Sequence, residues 1–485
     1  MKQVNLQQHA IFKQQVYVAG EWCDADSHAK TPVYNPADES ILGYVPECGA
    51  SETRHAIDAA EIASKSWRKT TAKEKALILR RWFDLIQQNT DALAEILTAE
   101  QGKPLAEAKG EIAYAASFIE WYAEQAKRIQ GEIIPSHKSD ARILVSHEAI
   151  GVVGAITPWN FPAAMITRKC GPAFAAGCSV VLKPAPDTPF TALALAALAE
   201  QAGLPKGLLS VVTGDAVAIG SELTSNKKVR KISFTGSTAV GKLLMAQSAA
   251  TVKKMSLELG GNAPFIVFED ADLEKALAGY MVAKFRNAGQ TCVCANRLYV
   301  HEKVYDKFMN MLVDKVSSLV MGNGFIDGVT IGPMINHAAV QKVESHIDDA
   351  LAKGATLLYG SEDKSSTHFV QPAVIRDVSD EMLVATEETF GPLAAAFAFS
   401  DDDDVIARAN NTDSGLAAYI YTQSLSKAFR MSEALEYGMV GVNEGLISTE
   451  LAPFGGIKES GLGREGAAQG IDEYLETKYT LMGGL

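Results

Sequence analysis

The sequence predicts an α/β protein with two tandem, doubly wound units, and three observations indicate this class. Residues 151–250 alternate short runs of β-branched residues with helical stretches, and a second alternation runs from residue 264 to about residue 423. The 485 residues are also too many for one hydrophobic core. Strands that alternate with helices form parallel sheets, which bind ligands at the carboxyl ends of their strands.

Hydrophobic periodicity places the elements along the chain. In the first unit it predicts strands at 151–156, 178–183, 208–213 and 229–234, with helices at 191–202, 216–224 and 239–249. In the second unit it predicts strands at 264–267, 297–300, 370–375 and 394–399. Amphipathic helices are expected at 51–67 and 71–99, a projecting hairpin at 131–147 and a strand at 474–482.

Composition excludes several classes of function. The net charge of −13 disfavours binding to a phosphate backbone, so no nucleic-acid partner is expected. No apolar run approaches the ~18 residues of a membrane span, and the first ten residues resemble no targeting signal. We therefore expect a cytoplasmic protein. The six cysteines are too sparse for a disulfide framework, and the nine histidines form no metal motif, so no metal is expected.

Four local motifs could carry chemistry. Gly236 and Ser237 follow a strand and open a helix, where backbone N–H groups can bind an anion; a tight turn is the alternative. Cys292, in Gly-Gln-Thr-Cys, is a candidate nucleophile or a buried structural thiol. Glu258, between apolar residues and glycines, is a candidate base or a surface residue at a helix end. Asn160 could donate to an oxyanion or serve an Asx-turn.

These motifs occur in one order, together with others. The set is Pro-Trp-Asn-Phe-Pro (158–162), Leu-Lys-Pro-Ala (182–185), Phe-Thr-Gly-Ser-Thr (234–238), Leu-Glu-Leu-Gly-Gly (257–261), Gly-Gln-Thr-Cys (289–292), Glu-Glu-Thr-Phe-Gly-Pro (387–392) and Pro-Phe-Gly-Gly-Ile-Lys-Glu-Ser (453–460). Over nearly its whole length the chain resembles the aldehyde dehydrogenase superfamily.

The resemblance implies a role for each matching residue. Cys292 matches the catalytic thiol, Glu258 the general base and Asn160 the oxyanion donor. The remaining matches concern the dinucleotide: Lys183 would hold the adenosine ribose and Glu388 the nicotinamide ribose, and the other cofactor-lining positions are Trp159, Pro186, Gly236, Ser237, Leu259 and Phe390.

The resemblance also implies a division of the chain. Residues 1–128 and 148–260 would form the dinucleotide-binding domain, and residues 261–470 the catalytic domain. Residues 129–147 and 471–485 would form an oligomerisation arm, as in the dimers and tetramers of the family. We expect a homo-oligomer, a tetramer built from dimers.

The surroundings of Cys292 are similar to those in succinate-semialdehyde dehydrogenases. That subfamily holds the distal carboxylate of its substrate with two arginines and a serine, which match Arg168, Arg286 and Ser448. Arginine binds carboxylates bidentately, although each arginine could instead make a structural ion pair. The resemblance implies oxidation of succinate semialdehyde, an intermediate of γ-aminobutyrate catabolism. Glutarate semialdehyde, one methylene longer, remains an alternative, because a methylene contributes only about 1–3 kcal/mol of discrimination.

Pro186 bears on the choice of cofactor. NAD-using relatives often carry glutamate there, which repels a 2′-phosphate, so NADP is expected to be accepted and preferred over NAD. NADP-using relatives carry serine at that position, so one favourable hydroxyl is also missing.

Other readings of the chain make distinct predictions. A non-catalytic protein would lack Cys292 or Glu258, a CoA-acylating enzyme would not need Glu258, and a thioesterase would turn over without nicotinamide.

Cys294, two residues after Cys292, could form a regulatory disulfide with it or remain a buried thiol.

Overall fold

A computed structural model describes residues 5–361 and 364–485. Residues 1–4, at the start of the predicted dinucleotide-binding domain, and residues 362–363, in the second predicted unit, lie outside the described part. The helices are α1 (Ala50–Trp67), α2 (Ala72–Gln88), α3 (Thr90–Gln101), α4 (Leu105–Gln125), α5 (Ala164–Ala176), α6 (Pro189–Gln201), α7 (Ala216–Ser225), α8 (Thr238–Ser248), α9 (Leu273–Phe285), α10 (Glu302–Ser317), α11 (His337–Ala352), α12 (Leu383–Thr386), α13 (Asp402–Asn410), α14 (Leu425–Ala434) and α15 (Gln469–Asp472).

The strands fall into two large sheets and three small ones. They are β1 (Val16–Val18), β2 (Glu21–Cys23), β3 (Lys30–Tyr34), β4 (Ile41–Pro46), β5 (Glu132–Ile134), β6 (Ala141–Ala149), β7 (Val152–Ile156), β8 (Ser179–Lys183), β9 (Leu209–Val211), β10 (Val229–Thr235), β11 (Lys254–Glu258), β12 (Ala263–Val267), β13 (Ala295–His301), β14 (Thr356–Tyr359), β15 (Ala373–Arg376), β16 (Leu393–Phe399), β17 (Ser414–Gly415), β18 (Ala417–Tyr421), β19 (Met439–Val442), β20 (Ile457–Lys458), β21 (Gly461–Leu462) and β22 (Leu475–Gly483).

The first large sheet has the order β2-β1-β9-β8-β7-β10-β11-β21, and its strands from β9 to β11 run parallel. The chain passes from β7 outward through β8 and β9, then returns to place β10 on the other side of β7. Such a reversal opens a crevice at the carboxyl ends of the strands. The loop that follows β7 therefore begins at the position where a doubly wound sheet binds its ligand.

The second large sheet has the order β14-β15-β16-β13-β12-β18-β19 and is parallel from β15 to β19. Only residues 259–262 separate β11 of the first sheet from β12 of the second, so the chain crosses between the sheets beside Glu258. Apolar side chains from helices pack against both faces of the second sheet. These two parallel units confirm the predicted fold class.

The helices before the first sheet differ from the prediction. Residues 71–99 were expected to form one helix, but the chain breaks at Asn89, whose φ of −107° and ψ of 19° lie outside the helical range. The Asn89 side chain donates to the carbonyl of Leu85 at 2.8 Å, because a short amide competes for the helical backbone. Helix α4, which packs on α2 and α5, was not predicted at all, since its buried residues include Glu111.

The predicted hairpin and terminal strand form one small sheet with the order β22-β6-β5. Strands β6 and β22 pair over nine residues, from Leu475 opposite Ala149 to Gly483 opposite Ala141. Apolar side chains of this sheet face solvent, with Ile133 77% exposed and Tyr479 58% exposed. Along the described chain, no helix has both the length and the apolar character needed to cross a membrane.

Candidate active site

The main cavity, of about 550 Å³, lies between the carboxyl ends of β7, β10 and β11 and the loops that precede β13 and β16. Its lining residues are Pro158, Trp159, Asn160, Phe161, Met165, Thr235, Gly236, Ser237, Glu258, Leu259, Gly260, Cys292, Ala338, Ala339, Lys342, Glu388, Thr389 and Phe390. The predicted nucleophile, base and oxyanion donor therefore share one cavity, although they are up to 132 residues apart in the chain.

Asn160 is held from two sides. Its backbone carbonyl accepts from Nζ of Lys103 at 2.8 Å and from Nδ2 of Asn287 at 3.0 Å. Its own Nδ2 donates to the carbonyl of Gln290 at 2.9 Å, two residues before Cys292. An amide nitrogen carries two hydrogens, so one remains for an oxyanion. This position favours the donor role for Asn160 over the Asx-turn alternative.

The loop that carries Cys292 has an unusual backbone. Asn287 and Ala288 have φ of 52° and 54°, a left-handed conformation that side-chain-bearing residues adopt rarely. The Gln290 side chain fixes the turn, donating to the carbonyls of Asn287 and Pro333 and accepting from the Ile335 N–H. Such strain persists only where surrounding contacts impose it, and it is common at functional sites.

Close packing of backbone places Cys292 against the crossing between the sheets. A Cβ on Gly261 would lie 2.4 Å from the carbonyl oxygen of Cys292, so only glycine fits there. The Cys292 side chain is half-buried. Burial raises the pKa of the Cys292 thiol to about 12, against the opposing effect of Arg168. The resting side chain is consequently a neutral thiol that needs a base to react at neutral pH.

Glu258 ends β11 and is 3% exposed, so its alternative placement at an exposed helix end is wrong. Neither carboxylate oxygen has a hydrogen-bond partner among the described residues. Burial raises the pKa of Glu258 well above its usual range, and the charge of Glu465 adds to this, while Arg168 and Lys169 act in the opposite direction. A desolvated carboxylate without partners is suited to accept a proton.

The end of the cavity near α8 fits an anionic cofactor. Ser237 is the N-cap of α8, and its hydroxyl accepts from the Val240 N–H, while the N-terminus of the helix faces the cavity. A Cβ on Gly241 would lie 2.5 Å from Leu259, so a glycine lets the helix approach β11 closely. These features favour the dinucleotide role over a plain turn.

Glu388 lies at the same end of the cavity and accepts from the Gly261 N–H at 3.2 Å. Burial raises its pKa to about 7. Trp159 and Phe390 pack edge to face with ring centroids 5.6 Å apart, and both line the cavity. Lys183, the last residue of β8, and Pro186, in the loop after it, do not line this cavity: Lys183 is 6% exposed, and Pro186 faces solvent.

Lys183 has acidic neighbours that the sequence did not indicate. Burial lowers the pKa of Lys183, while Asp187, Glu47 and Asp215 act in the opposite direction. Its ammonium group donates to the Pro184 carbonyl at 3.2 Å. The lysine thus retains capacity for a further acceptor, but nearby carboxylates weaken its attraction for a phosphate.

A second, narrower cavity meets the first at Cys292. Its lining residues are Tyr114, Phe161, Met165, Arg168, Arg286, Thr291, Cys292, Val293, Ser448 and Phe454. The three predicted carboxylate-binding residues are therefore together beside the thiol. Arg286 is half-buried with its guanidinium 5.3 Å from the Phe161 ring centroid, and it forms no ion pair within residues 5–361 and 364–485.

The Arg168 guanidinium contacts both a buried carboxylate and an aromatic ring. Its Nε lies 2.9 Å from a carboxylate oxygen of Glu465, and both side chains are almost fully buried. Its guanidinium also packs on Phe454, and Nη2 has no hydrogen-bond partner in the described chain. The ion-pair alternative thus applies to Arg168 in part, and Nη2 remains available to a ligand.

Several residues at the site were missed by the sequence analysis. Tyr114 brings a buried hydroxyl without a described partner to the narrow cavity, and Lys342 brings an ammonium group to the main one. Lys103 forms a buried ion pair of 2.6 Å with Glu111, which accepts the Ala163 N–H at 2.9 Å. Buried lysines and glutamates on helices are the signal that could have indicated this network, because such residues are rarely buried without a partner.

Cys294 and Cys292 are not joined by a disulfide in this structure, and all six cysteines are free. The Cys294 sulfur lies 3.4 Å from Nζ of Lys284, which is itself fully buried. The structure therefore holds Cys294 as a buried thiol in contact with a lysine.

The raised pKa of Cys292 predicts slow alkylation at neutral pH. Without cofactor, the rate of reaction with iodoacetamide should increase about tenfold per pH unit between pH 7 and 10, because the thiolate fraction does. Mass spectrometry would follow the Cys292 peptide, with glutathione in the same buffers as a control that levels off near its own pKa. A rate that levels off below pH 8 would contradict this environment.

Comparison with known proteins agrees with this geometry. The model of the aldehyde dehydrogenase family matches residues 22–480. The chain is 60% identical to the succinate semialdehyde dehydrogenase of Acinetobacter baylyi, over 99% of this chain and 100% of that protein. It is 58% identical to a glutarate-semialdehyde dehydrogenase of Pseudomonas aeruginosa, with 99% and 100% covered.

A solved structure gives the same result for the fold. The crystal structure of an NADP-dependent enzyme of Escherichia coli superimposes with a TM-score of 0.97, at 60% identity and with 98% of each chain covered. The match to the family model, the two relatives and this superposition each extend over nearly the whole chain. The protein belongs to the aldehyde dehydrogenase family.

Proposed function

We propose that this enzyme oxidises succinate semialdehyde to succinate with NADP or NAD as the hydride acceptor. The observation that carries this proposal is the meeting of two cavities at Cys292. One cavity has dinucleotide-binding features, and the other presents the guanidinium groups of Arg168 and Arg286. A semialdehyde with a distal carboxylate matches the second cavity in charge.

Substrate binding would use the narrow cavity. The distal carboxylate of the substrate contacts Arg286 and Nη2 of Arg168, and Ser448 supplies a hydroxyl donor. Fixing that end places the aldehyde carbon at the Cys292 sulfur, because the arginines and the thiol line the same space. Proximity of this kind converts a bimolecular attack into an intramolecular one.

The first chemical step joins the sulfur to the aldehyde carbon. The thiol proton leaves to solvent, the sulfur bonds to the aldehyde carbon, the carbon–oxygen double bond opens, and the oxygen acquires negative charge. The free amide hydrogen of Asn160 and the backbone N–H of Cys292 stabilise that oxygen. Loss of one such donor typically raises the barrier by about 2.7–4 kcal/mol.

A bound nicotinamide dinucleotide would supply the hydride acceptor that oxidation of the tetrahedral carbon requires. Gly236, Ser237, Leu259, Glu388, Trp159 and Phe390 would bind it in the main cavity, and Lys183 and Pro186 would contact its adenosine end outside that cavity. Loss of hydride leaves an acyl group bound to the Cys292 sulfur as a thioester.

Hydrolysis of the thioester returns the enzyme to its starting state. Glu258 accepts a proton from water, the resulting hydroxide attacks the acyl carbon, and the Cys292 sulfur leaves and takes the proton held by Glu258. The raised pKa of Glu258 makes it a stronger base than an exposed carboxylate. Retention of this base favours water over CoA as the acyl acceptor.

We place the enzyme in the cytoplasm as a homo-oligomer, a tetramer built from two dimers. The catalytic cycle requires a reduced thiol, and all six cysteines are free. Strands β5 and β22 form the edges of the small sheet and expose apolar side chains, which a second subunit could cover. We keep the proposed arm at residues 129–147 and 471–485, with the dinucleotide-binding domain at 1–128 and 148–260 and the catalytic domain at 261–470.

Arg286→Ala tests the substrate. Because a charged hydrogen bond contributes about 1.5–3 kcal/mol, kcat/KM for succinate semialdehyde should fall about 10- to 100-fold relative to butanal. Arg286 is preferable to Arg168, whose removal would leave Glu465 buried without one of its cations. Exposed Arg81 on α2 is a matched control for substitution by alanine. Equal loss on both aldehydes would contradict carboxylate recognition, and higher kcat/KM for glutarate semialdehyde would favour the longer substrate.

Pro186→Glu tests the cofactor. The parent enzyme should show a lower KM for NADP than for NAD, and the new carboxylate should raise the KM for NADP about 10-fold or more through repulsion of the 2′-phosphate. Pro186→Gln removes the ring without adding charge and serves as the control. A parent enzyme that strongly prefers NAD would contradict the proposed preference.

A further inference from the structure

Three potential metal ligands lie together at the surface, apart from the active site. Glu39 belongs to the turn between β3 and β4, His337 is the first residue of α11, and His368 belongs to the segment before β15. One ligand atom from each lies within 4.8 Å of the other two. Nearly 300 residues separate Glu39 from His337, so no spacing motif in the sequence could indicate this cluster.

The tautomer of His368 follows from its backbone contact. Nδ1 of His368 lies 3.0 Å from the Pro36 carbonyl oxygen, which can only accept, so Nδ1 carries a hydrogen. In the neutral ring, Nε2 then bears a lone pair. That Nε2 lies 3.6 Å from a carboxylate oxygen of Glu39. Both atoms are electron-rich, so a metal cation placed between them would be stabilised by each.

The distances fit a shared cation. Nε2 of His337 lies 3.3 Å from the same Glu39 oxygen, and the two imidazole rings are 4.4 Å apart at 81°. Neither histidine forms a hydrogen bond to Glu39 in the described chain, and both separations exceed the usual range of about 2.7–3.2 Å. Bonds of about 2.0–2.1 Å at tetrahedral angles place neighbouring ligands of zinc about 3.3 Å apart.

We propose that Glu39, His337 and His368 bind one divalent transition-metal ion such as Zn²⁺. Two imidazole nitrogens and one carboxylate oxygen are a ligand set that suits zinc and its neighbours. His337 and Glu39 are 55% and 59% exposed, so water can complete the coordination and the ion can enter from solvent. The Pro36 carbonyl accepts from the other ring nitrogen of His368 and so orients the ring, as backbone carbonyls commonly do for metal-bound histidines.

The bound ion would link three distant segments at one end of α11. Residues Ala338 and Ala339, which immediately follow His337, line the main cavity. The backbone of His368 is already tied to this region, since its carbonyl accepts from the Met334 N–H at 2.8 Å. A metal here would therefore stabilise the helix end that forms one wall of the main cavity.

Calorimetric titration of the full-length, chelator-treated protein with ZnCl₂ tests the proposal. We expect one ion per chain, with affinity reduced at least tenfold in His337→Ala, His368→Ala and Glu39→Gln. His55→Ala, at an exposed histidine of α1, should bind as the parent does. Cys292→Ser should also retain the site, which separates the cluster from binding at the catalytic thiol.

Thermal unfolding gives a second measurement. Zn²⁺ should raise the Tm of the parent in a concentration-dependent manner, and should raise that of Glu39→Gln by less at the same concentration. This substitution lies in an exposed turn, so the fold should tolerate it even if a histidine variant unfolds. Absence of saturable binding would contradict the proposal. So would binding that is unchanged in all three cluster variants, or binding lost only in Cys292→Ser.

Discussion

The exclusion of water from charged and ionisable groups at the junction of the two sheets governs the chemistry of this enzyme. Burial raises the pKa of Cys292 to about 12, that of Glu388 to about 7 and that of Glu258 well above its usual range. Each group is therefore held in its uncharged form more strongly than in water. The Cys292 thiol must therefore lose its proton before it attacks, and Glu258, once deprotonated, is a stronger base than an exposed carboxylate.

Buried ion pairs hold this arrangement in place. Lys103 and Glu111 form an ion pair in which both side chains are 1% exposed. Lys103 also donates to the Asn160 carbonyl, and Glu111 accepts from the Ala163 N–H at the start of α5. Arg168, Lys169 and Glu465 form a second network, in which the two cations outweigh burial and lower the pKa of Glu465. Buried pairs contribute little net stability, but removal of one partner is strongly destabilising, so they fix geometry rather than strengthen the fold.

The sequence predicted those parts of the site that are local in the chain. The positions of Asn160, Gly236 and Cys292 follow from short motifs next to strands, and the structure brings all three to one cavity. The sequence did not decide whether Glu258 is a buried base or a surface residue at a helix end, because β11 is short and its periodicity does not distinguish a strand from a helix end. The break at Asn89 depends on one side-chain hydrogen bond, and helix α4 buries Glu111 through a partner that only the fold supplies. Contacts between distant segments, such as Arg168 with Glu465, have no signal in a single sequence.

Catalysis depends on an acyl group that is bound to Cys292 and released with the help of Glu258. The most direct measurement mixes Glu258→Gln with succinate semialdehyde and NADP, and follows cofactor absorbance together with the mass of the Cys292 peptide. We expect a burst of one reduced cofactor per active site, a peptide heavier by one succinyl group, and turnover slower by about 10²–10⁴-fold. Steady turnover at the parental rate, with no burst and no acylated peptide, would contradict this mechanism.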